Sequence, residues 1–393
     1  MLLVSESYNG GVKTYIDTIM FHQEKESDIT IQALVSSKRL KGGGGEIEGD
    51  YLIEDNLSFG MSPHKLVMAL HSLHRMVMDK KIDVVHANST FAGVLMCVYA
   101  FWNRKVFYIY TPHGYYSLKK MGMTKKAAVR FVEKRINNSA DLVIHVSPSE
   151  EREAIINGLT VAEKCIVVLN GSKDPEANSI RNLNDVFTIV NLARVDDQKK
   201  PFEFIEIARK LLEQNLNVQF IWAGNGKYLE KAREKVEFYG LSEQVKFIGF
   251  SNEKDKILQE SDLFLSTSEY EGLPYAVIEA MSYKLPLLLT DIIGHSDLIE
   301  GDKNGLLFKN NEDPAIYEFV KSLIHDLEKR NSLCNHSYRI FNERLNVTQM
   351  LKKLVGIYQN LNVCANNEIP GKTAVKAVRE EESLANRDLH SDL

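Results

Sequence analysis

The chain has 393 residues, which is too long for one ordinary domain and right for two of about 150–200 residues each. Hydrophobic residues make up 44% and charged residues 26%, the composition of a globular protein rather than a disordered one. The net charge of −5 argues against nucleic acid as a partner, because proteins that bind it usually carry a basic excess.

The pattern of apolar runs predicts two parallel α/β sheets. Short runs rich in Val, Ile and Leu alternate with helical patterns, which is typical of parallel strands covered by helices on both faces. The first series of predicted strands is Leu2–Val4, Ile29–Val35, Val84–His86, Phe107–Thr111, Leu142–Val146 and Cys165–Leu169. The second is Phe187–Leu192, Val218–Ala223, Val245–Ile248, Leu263–Ser266 and Leu285–Leu289. Two such series predict two doubly wound, Rossmann-like domains.

The predicted break between the domains lies near Lys173–Asp185, which is polar, turn-rich and without apolar periodicity. We therefore expect an N-terminal domain over residues 1–172 and a second domain over 173–341. Charged and polar residues without aromatics predict a disordered tail over 362–393. The glycine run from Gly42 to Gly45 predicts a surface loop, because no helix start follows it directly.

Cysteine usage and hydropathy predict a cytoplasmic protein. The four cysteines are Cys97, Cys165, Cys334 and Cys364. None lies in a CxxC pair, and scattered cysteines fit a reducing compartment. The apolar start Leu2–Val4 is too short for a secretory signal. The longest apolar run, Phe91–Trp102, falls short of the roughly 20 residues that cross a membrane, so it predicts a buried helix.

Residues that follow parallel strands are the first candidates for function, because such sheets bind ligands beyond the carboxyl ends of their strands. Gly10 and Gly11 follow the first strand, where glycines let the backbone approach a ligand and the next helix start offers N–H groups to a phosphate. Taken alone, this pair is more typical of a structural turn. His113, between Pro112 and Gly114 at a strand end, is as consistent with a capping or buried histidine as with a group facing the crevice.

A charged loop after strand Phe187–Leu192 brings Arg194 and Lys199 together before a helix that begins near Pro201. Arginine binds phosphate with a planar fork and lysine as a point charge, so a diphosphate has use for both. A solvated charged loop is the commoner explanation of such a run. Its position at the opening of the second sheet favours a phosphate site.

The most informative segment follows strand Leu263–Ser266. Glu271 lies in the loop, Pro274 suits a helix start, and Glu279 lies inside the helix among apolar residues, where a carboxylate needs a partner. Eight helical residues rise ~12 Å, whereas the carboxylates of a retaining glycosidase lie ~5 Å apart. The spacing suits two ends of one elongated ligand, such as a nucleotide sugar. The alternative is a helix-start acid with one surface acid.

Together these segments resemble glycosyltransferase family 4, the group 1 glycosyltransferases of the GT-B fold. Glu271 to Glu279 matches that family's E-x7-E element in the context EGLP…EAM, and Arg194 and Lys199 match its R-x4-K pair. The other three matching pieces are Gly10-Gly11, Thr111-Pro112-His113-Gly114 and a closing pattern formed by Leu285-Pro286, Thr290-Asp291 with Gly294, and Asn304-Gly305-Leu306-Leu307. The resemblance covers roughly residues 1–361, and five pieces in the right order argue against a chance match. Lys284 departs from the pattern, since the family usually has Gly there.

The resemblance implies a GT-B fold, with two Rossmann-like domains facing a central cleft. The first domain would bind the acceptor and the second the nucleotide-sugar donor, and a final helix over Asn342–Leu361 would return to the first domain. It also implies sugar transfer with retention of anomeric configuration and without a metal or other cofactor. The absence of an Asp-x-Asp sequence agrees with the last point.

The resemblance also implies residue roles. His113 and Glu271 would contact the transferred sugar as catalytic residues. Arg194 and Lys199 would bind the diphosphate, with the Gly10-Gly11 loop closing over it. Glu279 would hold the ribose, the backbone near Phe250 would meet the base, and Gly272 and Leu273 would complete the donor site.

The expected function is therefore transfer of a sugar from a nucleotide diphosphate sugar to an acceptor, with a lipid-linked saccharide of bacterial surface-polysaccharide synthesis as the expected acceptor. One alternative is a nucleotide-sugar 2-epimerase of the same architecture, against which the E-x7-E and R-x4-K elements argue. Another is a non-catalytic nucleotide-sugar-binding protein, against which the intact set of charged residues argues.

A basic stretch suggests a peripheral membrane surface. Lys119–Arg135 contains seven basic residues and one acid, Glu133, in a chain whose net charge is −5. Apolar residues within and directly after this stretch include Val129, Phe131, Val132 and Ile136. An ordinary packing helix with a solvated face and a helix docked on anionic lipid at the inner face of the membrane both fit this pattern.

Overall fold

The computed structural model describes residues 1–26, 29–39, 51–58, 62–175 and 186–366. The chain divides into two compact units, one formed by Met1–Leu169 and the chain from Met350 on, the other by Asn170–Gln349. The predicted glycine loop 42–45, the linker residues 176–185 and the predicted tail from residue 367 on lie outside the described residues.

The first unit contains a seven-stranded parallel sheet in the order β3-β2-β1-β4-β5-β6-β7. Its strands are β1 (Leu2–Ser5), β2 (Gln32–Val35), β3 (Tyr51–Ile53), β4 (Val84–Asn88), β5 (Phe107–Thr111), β6 (Leu142–His145) and β7 (Cys165–Val167). The central strands are buried along their whole length, which is why they read as continuous apolar runs. The strand order reverses between β1 and β4, so the ligand crevice expected of such a sheet lies at the carboxyl ends of these two strands.

The helices between the strands of the first unit are α1 (Gly10–Glu26), α2 (Pro63–Asp79), α3 (Thr90–Trp102), α4 (Met123–Ser139) and α5 (Pro148–Ile156). Serine hydroxyls cap the first turns of α2 and α5. The Ser147 hydroxyl accepts the backbone N–H of Glu150 at 3.2 Å, and Pro148 occupies the first turn, where its missing N–H costs nothing. The predicted helix over Phe91–Trp102 is present as α3, with Leu95 and Met96 buried. No helix in the described part of the chain is both long and apolar enough to cross a membrane.

The second unit contains a six-stranded parallel sheet in the order β10-β9-β8-β11-β12-β13. Its strands are β8 (Phe187–Leu192), β9 (Val218–Ala223), β10 (Val245–Gly249), β11 (Leu263–Ser266), β12 (Leu287–Thr290) and β13 (Gly305–Phe308). The order reverses between β8 and β11, which pair directly. The carboxyl ends of β8 and β11 therefore form the switch point of this sheet.

The remaining helices are α6 (Pro201–Glu213), α7 (Leu229–Phe238), α8 (Lys254–Gln259), α9 (Tyr275–Ser282), α10 (Pro314–His325), α11 (Leu327–Ile340) and α12 (Val347–Asn366). The sequence predicts one final helix over Asn342–Leu361, whereas the structure has a π-helical turn at Phe341–Leu345 and then α12, which ends five residues later than predicted, at Asn366. The Tyr358 hydroxyl on α12 forms a 2.9 Å hydrogen bond with Nδ1 of the buried His86 on β4. This contact packs α12 against the first sheet.

Two strands were not predicted, and each is short and lies at the edge of its sheet. β3 has three residues, none of them fully buried, and β13 begins with a glycine. The strand predicted at Leu285–Leu289 instead runs over Leu287–Thr290, because Pro286 has no N–H to donate to a neighbouring strand.

Candidate functional site

The loops that follow β8 and β11 lie side by side at the switch point of the second sheet. The Glu269 N–H donates to the carbonyl of Gln198 at 2.8 Å, and the Thr267 hydroxyl donates to the carbonyl of Lys199 at 2.8 Å. Two segments about 70 residues apart in sequence are thereby fixed against each other, as the doubly wound topology requires.

Lys199 and Glu271 form a buried ion pair at this junction. Lys199 Nζ lies 2.5 Å from Glu271 Oε1, and the two side chains are only 16% and 8% exposed. The Gln198 side-chain amide donates to the carbonyl of Tyr270 at 3.0 Å and to Glu271 Oε2 at 3.4 Å. Burial would raise the pKa of Glu271, but the Lys199 ammonium and the nearby His295 outweigh it and hold the pKa below the ordinary value. Glu271 is therefore a carboxylate at neutral pH.

Arg194 stands at the edge of the same site and retains donors for a ligand. Its Nη1 lies 2.7 Å from Asp196 Oδ2, and its Nη2 donates to Gln198 Oε1 at 3.0 Å. The side chain is 57% exposed. A guanidinium carries five N–H donors and an ammonium three, so these contacts leave Arg194 and Lys199 able to donate several hydrogen bonds to an anion. The start of α9 follows β11 at this edge and adds the positive end of a helix.

Three residues that follow β9 complete the junction, and none of them was predicted from sequence. A Cβ at Gly224 would overlap the backbone of Ala193, and a Cβ at Gly226 would overlap the backbone of Val195. Ala193 and Val195 lie on either side of Arg194. Between these glycines, Asn225 Oδ1 accepts the N–H of Phe250 at 3.0 Å. Two glycines flanking an asparagine directly after a predicted strand were the available signal. Phe250, predicted to meet the base, is half-exposed, and its backbone N–H is engaged by Asn225.

Glu279 has a different partner from Glu271. It lies on α9, and Lys254 Nζ is 2.6 Å from its Oε1. Lys254 is 51% exposed, whereas the Glu279 side chain is 16% exposed. The partner that the apolar surroundings of Glu279 require is thus a surface lysine from α8, and the two carboxylates of the E-x7-E element belong to separate ion pairs.

Gly272 and Leu273 are positioned through their backbone. A Cβ at Gly294, whose φ is +82°, would overlap the carbonyl oxygen of Gly272. The Leu273 carbonyl accepts from Asn170 Nδ2 at 2.7 Å. Next to Gly294, the buried His295 has Nδ1 2.9 Å from the Thr290 carbonyl, and burial lowers its pKa to about 4. His295 is therefore neutral at pH 7, and it was not among the site residues predicted from sequence.

The predicted residues of the first unit lie after β1 and β5. Gly10 opens α1 with a φ of +56°, and both Gly10 and Gly11 are exposed. His113 has a φ of +54°, its Nε2 lies 3.0 Å from Asn88 Oδ1, and burial lowers its pKa to about 3. Asn88 Nδ2 donates to the His86 carbonyl, so Asn88 Oδ1 accepts from His113. His113 is therefore a neutral imidazole with its proton on Nε2.

The structure thus brings Arg194, Lys199, Glu271 and Gly272 to one edge of the second sheet. It gives Glu279 a separate partner, and it holds His113 and the Gly10-Gly11 pair in the first unit. The roles assigned to all of these residues remain predictions.

Two doubly wound parallel sheets, the second with an arginine, a lysine and a carboxylate at its switch point, define a GT-B-type transferase. The model of the family described as glycosyl transferases group 1 matches residues 172–339, and the glycosyl transferase 4-like domain matches residues 56–171. The chain belongs to the group 1 glycosyltransferases, and it is a glycosyltransferase of the kind found in polysaccharide biosynthesis.

Two curated relatives from Escherichia coli illustrate the family. The chain is 24% identical over 322 residues to UDP-Gal:alpha-D-GlcNAc-diphosphoundecaprenol alpha-1,3-galactosyltransferase, covering 76% of this chain and 81% of that protein. It is 28% identical over 322 residues to the O-antigen biosynthesis glycosyltransferase WbnH, covering 81% and 88%.

Solved structures share the fold. The sucrose-phosphate synthase of Thermosynechococcus elongatus aligns with a TM-score of 0.79 at 16% identity, over 92% of this chain and 99% of that one. Anabaena HepE in complex with UDP and glucose aligns with a TM-score of 0.74 at 19% identity, over 91% and 98%. At these identities the likeness concerns the fold alone.

Proposed function

We propose that this chain is a retaining, metal-independent glycosyltransferase that moves a hexose from a nucleotide diphosphate sugar to a saccharide acceptor. In this reaction the anomeric carbon exchanges its bond to a diphosphate oxygen for a bond to the oxygen of an acceptor hydroxyl, on the same face of the sugar, and the hydroxyl proton passes to the departing diphosphate. Negative charge grows on the departing diphosphate as that bond breaks.

The observation that carries this proposal is the cation arrangement around Lys199 and Arg194. Donors fixed in advance toward a place where charge develops lower the barrier without reorganising during the reaction. Lys199 is fixed by its buried pair with Glu271, and Arg194 is fixed by Asp196 and Gln198 while more than half exposed. These two cations and the start of α9 would stabilise the negative charge on the departing diphosphate, which a metal ion stabilises in other transferases.

The proposed acceptor is a lipid-linked saccharide of surface-polysaccharide synthesis. One E. coli relative is named for a diphosphoundecaprenol-linked acceptor and the other for O-antigen biosynthesis. Uridine is the first base to test, because UDP appears in the name of the first relative and in the HepE complex.

The experiment has a binding arm and a turnover arm. A thermal-shift screen of nucleotide diphosphate sugars identifies the donor, because a ligand that binds the native state raises the melting temperature. The donor is then incubated with and without a diphosphate-linked lipid saccharide, and the anomeric configuration of the product is read by NMR. Transfer that requires the acceptor and retains configuration is the expected result.

Two other results would contradict the proposal. Inverted configuration would refute the retaining assignment. Conversion of the nucleotide sugar alone into an epimer would identify the 2-epimerase instead. The two E. coli relatives are named as transferases, which is why the epimerase is kept only as an outcome of this experiment.

We also propose that α4 docks on an anionic membrane surface. Phe131 is 60% exposed and Val132 is exposed, although Ile136, the other end of the predicted apolar set, is buried. Met123, Lys126, Arg130, Phe131 and Lys134 line an open groove of about 510 Å³ against Asn157–Leu159. A basic and apolar surface of this kind suits lipid headgroups at the level where acyl chains begin.

The prediction is that the protein co-sediments with vesicles containing anionic lipid and is released by salt. Each basic residue near such a surface contributes about 1 kcal/mol. Replacing Lys126, Arg130 and Lys134 by Gln should therefore weaken vesicle binding by about 3 kcal/mol, or roughly 150-fold. The matched control replaces three lysines of the second unit, Lys231, Lys235 and Lys246, by Gln, which removes the same number of charges away from α4. No sedimentation at low salt, or an equal loss in the control, would contradict this docking.

A further inference from the structure

One cluster of side chains in the first unit has no part in the proposed transfer. His145 ends β6, Cys165 begins β7, and Glu151 lies in the first turns of α5. One ligand atom from each of these residues lies within 4.8 Å of the other two. His145 and Cys165 are buried, and Glu151 is partly exposed, so the cluster opens to solvent on the side of Glu151.

The topology explains why these three residues meet. β6 and β7 pair in parallel, with Val143 opposite Cys165 and His145 opposite Val167. Because successive side chains of a strand point to opposite faces, His145 and Cys165 lie on the same face of the sheet. Helix α5 packs against both strands and places Glu151 over that face.

Hydrogen bonds around His145 fix its tautomer. Asn137 Nδ2 donates to the Glu133 carbonyl at 3.0 Å, so Asn137 Oδ1 is turned toward Tyr115 and accepts its hydroxyl proton at 2.9 Å. The Tyr115 oxygen must then accept from His145, whose Nε2 lies 3.2 Å away. The proton of His145 is therefore on Nε2, and Nδ1 carries a bare lone pair.

That lone pair is buried and unused. His145 is 0% exposed, and its Nδ1 has no hydrogen-bond partner within the described ranges of the chain. A buried nitrogen without a partner destabilises the folded state, because it has lost its hydrogen bonds to water. A histidine that donates one ring N–H to a fixed acceptor, keeps its other nitrogen unpaired and lies beside a thiol and a carboxylate has the arrangement of a metal ligand with its outer-shell support.

We propose that His145, Glu151 and Cys165 bind a divalent transition-metal ion of the zinc type. One nitrogen, one sulfur and one carboxylate oxygen are the donors that zinc takes, with the fourth position left to water. Magnesium and calcium prefer all-oxygen sites, so the same cluster discriminates against them. Ligand atoms of tetrahedral zinc lie about 3.5 Å apart. Atoms that already lie within 4.8 Å of one another therefore need to approach by only about 1 Å to surround the ion.

The ion would act on structure rather than on sugar transfer. Binding exchanges the Cys165 thiol proton for the metal, and that proton is released to the buffer. The site would join β6, β7 and α5. Glu150, next to Glu151 on α5, accepts the N–H of Gly114 at 2.6 Å and that of Val146 at 3.0 Å. A bound ion would therefore hold the helix that anchors the loop after His113.

The test uses the full chain freed of metal by dialysis against a chelator. Titration with Zn²⁺ should show one bound equivalent and a higher melting temperature, whereas Mg²⁺ should show neither. Co²⁺, used as a spectroscopic probe, should give the near-ultraviolet absorption of a thiolate bound to cobalt. Cys165→Ser should lose that absorption, whereas Cys334→Ser, which removes a buried cysteine of the second unit, should keep it.

Two further variants keep the proposal falsifiable if Cys165→Ser does not fold. Glu151→Gln changes a partly exposed side chain and should weaken Zn²⁺ binding at least about tenfold. Tyr115→Phe removes the hydroxyl that fixes the His145 tautomer and should weaken it about 10- to 100-fold. Wild-type protein that binds no equivalent of Zn²⁺, or a folded Cys165→Ser or Glu151→Gln variant that binds it as the wild type does, would overturn the site.

Discussion

Replacing Lys199 by methionine is the sharpest test of the buried pair at the switch point. The change keeps roughly the length of the side chain and removes its charge. The Glu271 side chain, which is only 8% exposed, then has no lysine to pair with. Removing one member of a buried pair costs about 3–5 kcal/mol, because the other charge stays buried and uncompensated. In a unit of this size each kcal/mol lowers the melting temperature by about 2–4 °C, so we expect a loss of about 6–20 °C at pH 7.

The same variant has a diagnostic pH dependence. In the wild type the pKa of Glu271 is held below its ordinary value of 4.5, so the pair contributes stability above pH 4.5 that is lost as the pH falls through the lowered pKa. In Lys199→Met, burial acts with less opposition and should raise that pKa. The folded variant then binds a proton more readily than the unfolded chain does, so its stability relative to the wild type should recover as the pH falls from 7 to 5.

Differential scanning calorimetry of the full chain measures both effects. The matched control is Lys200→Met, because Lys200 pairs with Glu269 at 3.1 Å and both side chains are more exposed, at 41% and 26%. A surface pair of that kind contributes about 0–1 kcal/mol. Equal losses in the two variants, or a Lys199→Met loss that does not shrink between pH 7 and pH 5, would refute the reasoning.

Three other predictions concern the donor side. Glu279→Gln should weaken binding of free nucleoside diphosphate about 10- to 150-fold, the equivalent of one hydrogen bond to a charged group. The melting temperature should be nearly unchanged, because the partner of Glu279, Lys254, is half-exposed. Calorimetric titration measures the affinity, and an unchanged affinity would contradict the ribose role. EDTA should leave turnover intact if, as proposed, Arg194 and Lys199 neutralise the diphosphate charge. Activity that is lost with EDTA and restored by Mg²⁺ or Mn²⁺ would disprove metal independence, whereas an effect restored only by Zn²⁺ would be assigned to the proposed site at His145. Gly294→Ala should lower the melting temperature by more than Gly301→Ala does. Both glycines have a positive φ, but of the two only Gly294 lies against a carbonyl, that of Gly272. Equal losses would show that the close approach of Gly294 to Gly272 does not limit the side chain at this position.

The sheets could be predicted from sequence because parallel strands buried on both faces leave continuous apolar runs. β5, β8, β9 and β11 begin and end at the predicted residues. Edge strands such as β3 do not produce this signal, since they are short and only partly buried. The interruption of the final helix at Asn346 was also invisible, because the apolar period continues across it.

The residue types of the site were predictable from motifs, but their pairing was not. Lys199 and Glu271 are 72 residues apart, and only the strand order places β8 beside β11. The glycines on either side of Asn225 were missed because their function is to let two loops approach, which composition alone does not show. Lys284 keeps the turn for which the family uses glycine by adopting a φ of +61°, so this departure is accommodated in the backbone without moving a charged group.

The pairings change what a substitution at each carboxylate can report. The sequence predicts that Glu279 serves the nucleotide and Glu271 the sugar, so that Glu271→Gln should bind nucleotide normally and turn over slowly. In the structure Glu271 also holds the predicted diphosphate ligand Lys199, so this variant changes both groups at once. A double-mutant cycle of Glu271→Gln with Lys199→Met separates them, with Glu269→Gln as the control for charge. If the loss of kcat in Glu271→Gln persists after Lys199 has been removed, the carboxylate acts on the sugar directly; if it disappears, Glu271 acts by positioning Lys199, and the predicted catalytic role is wrong.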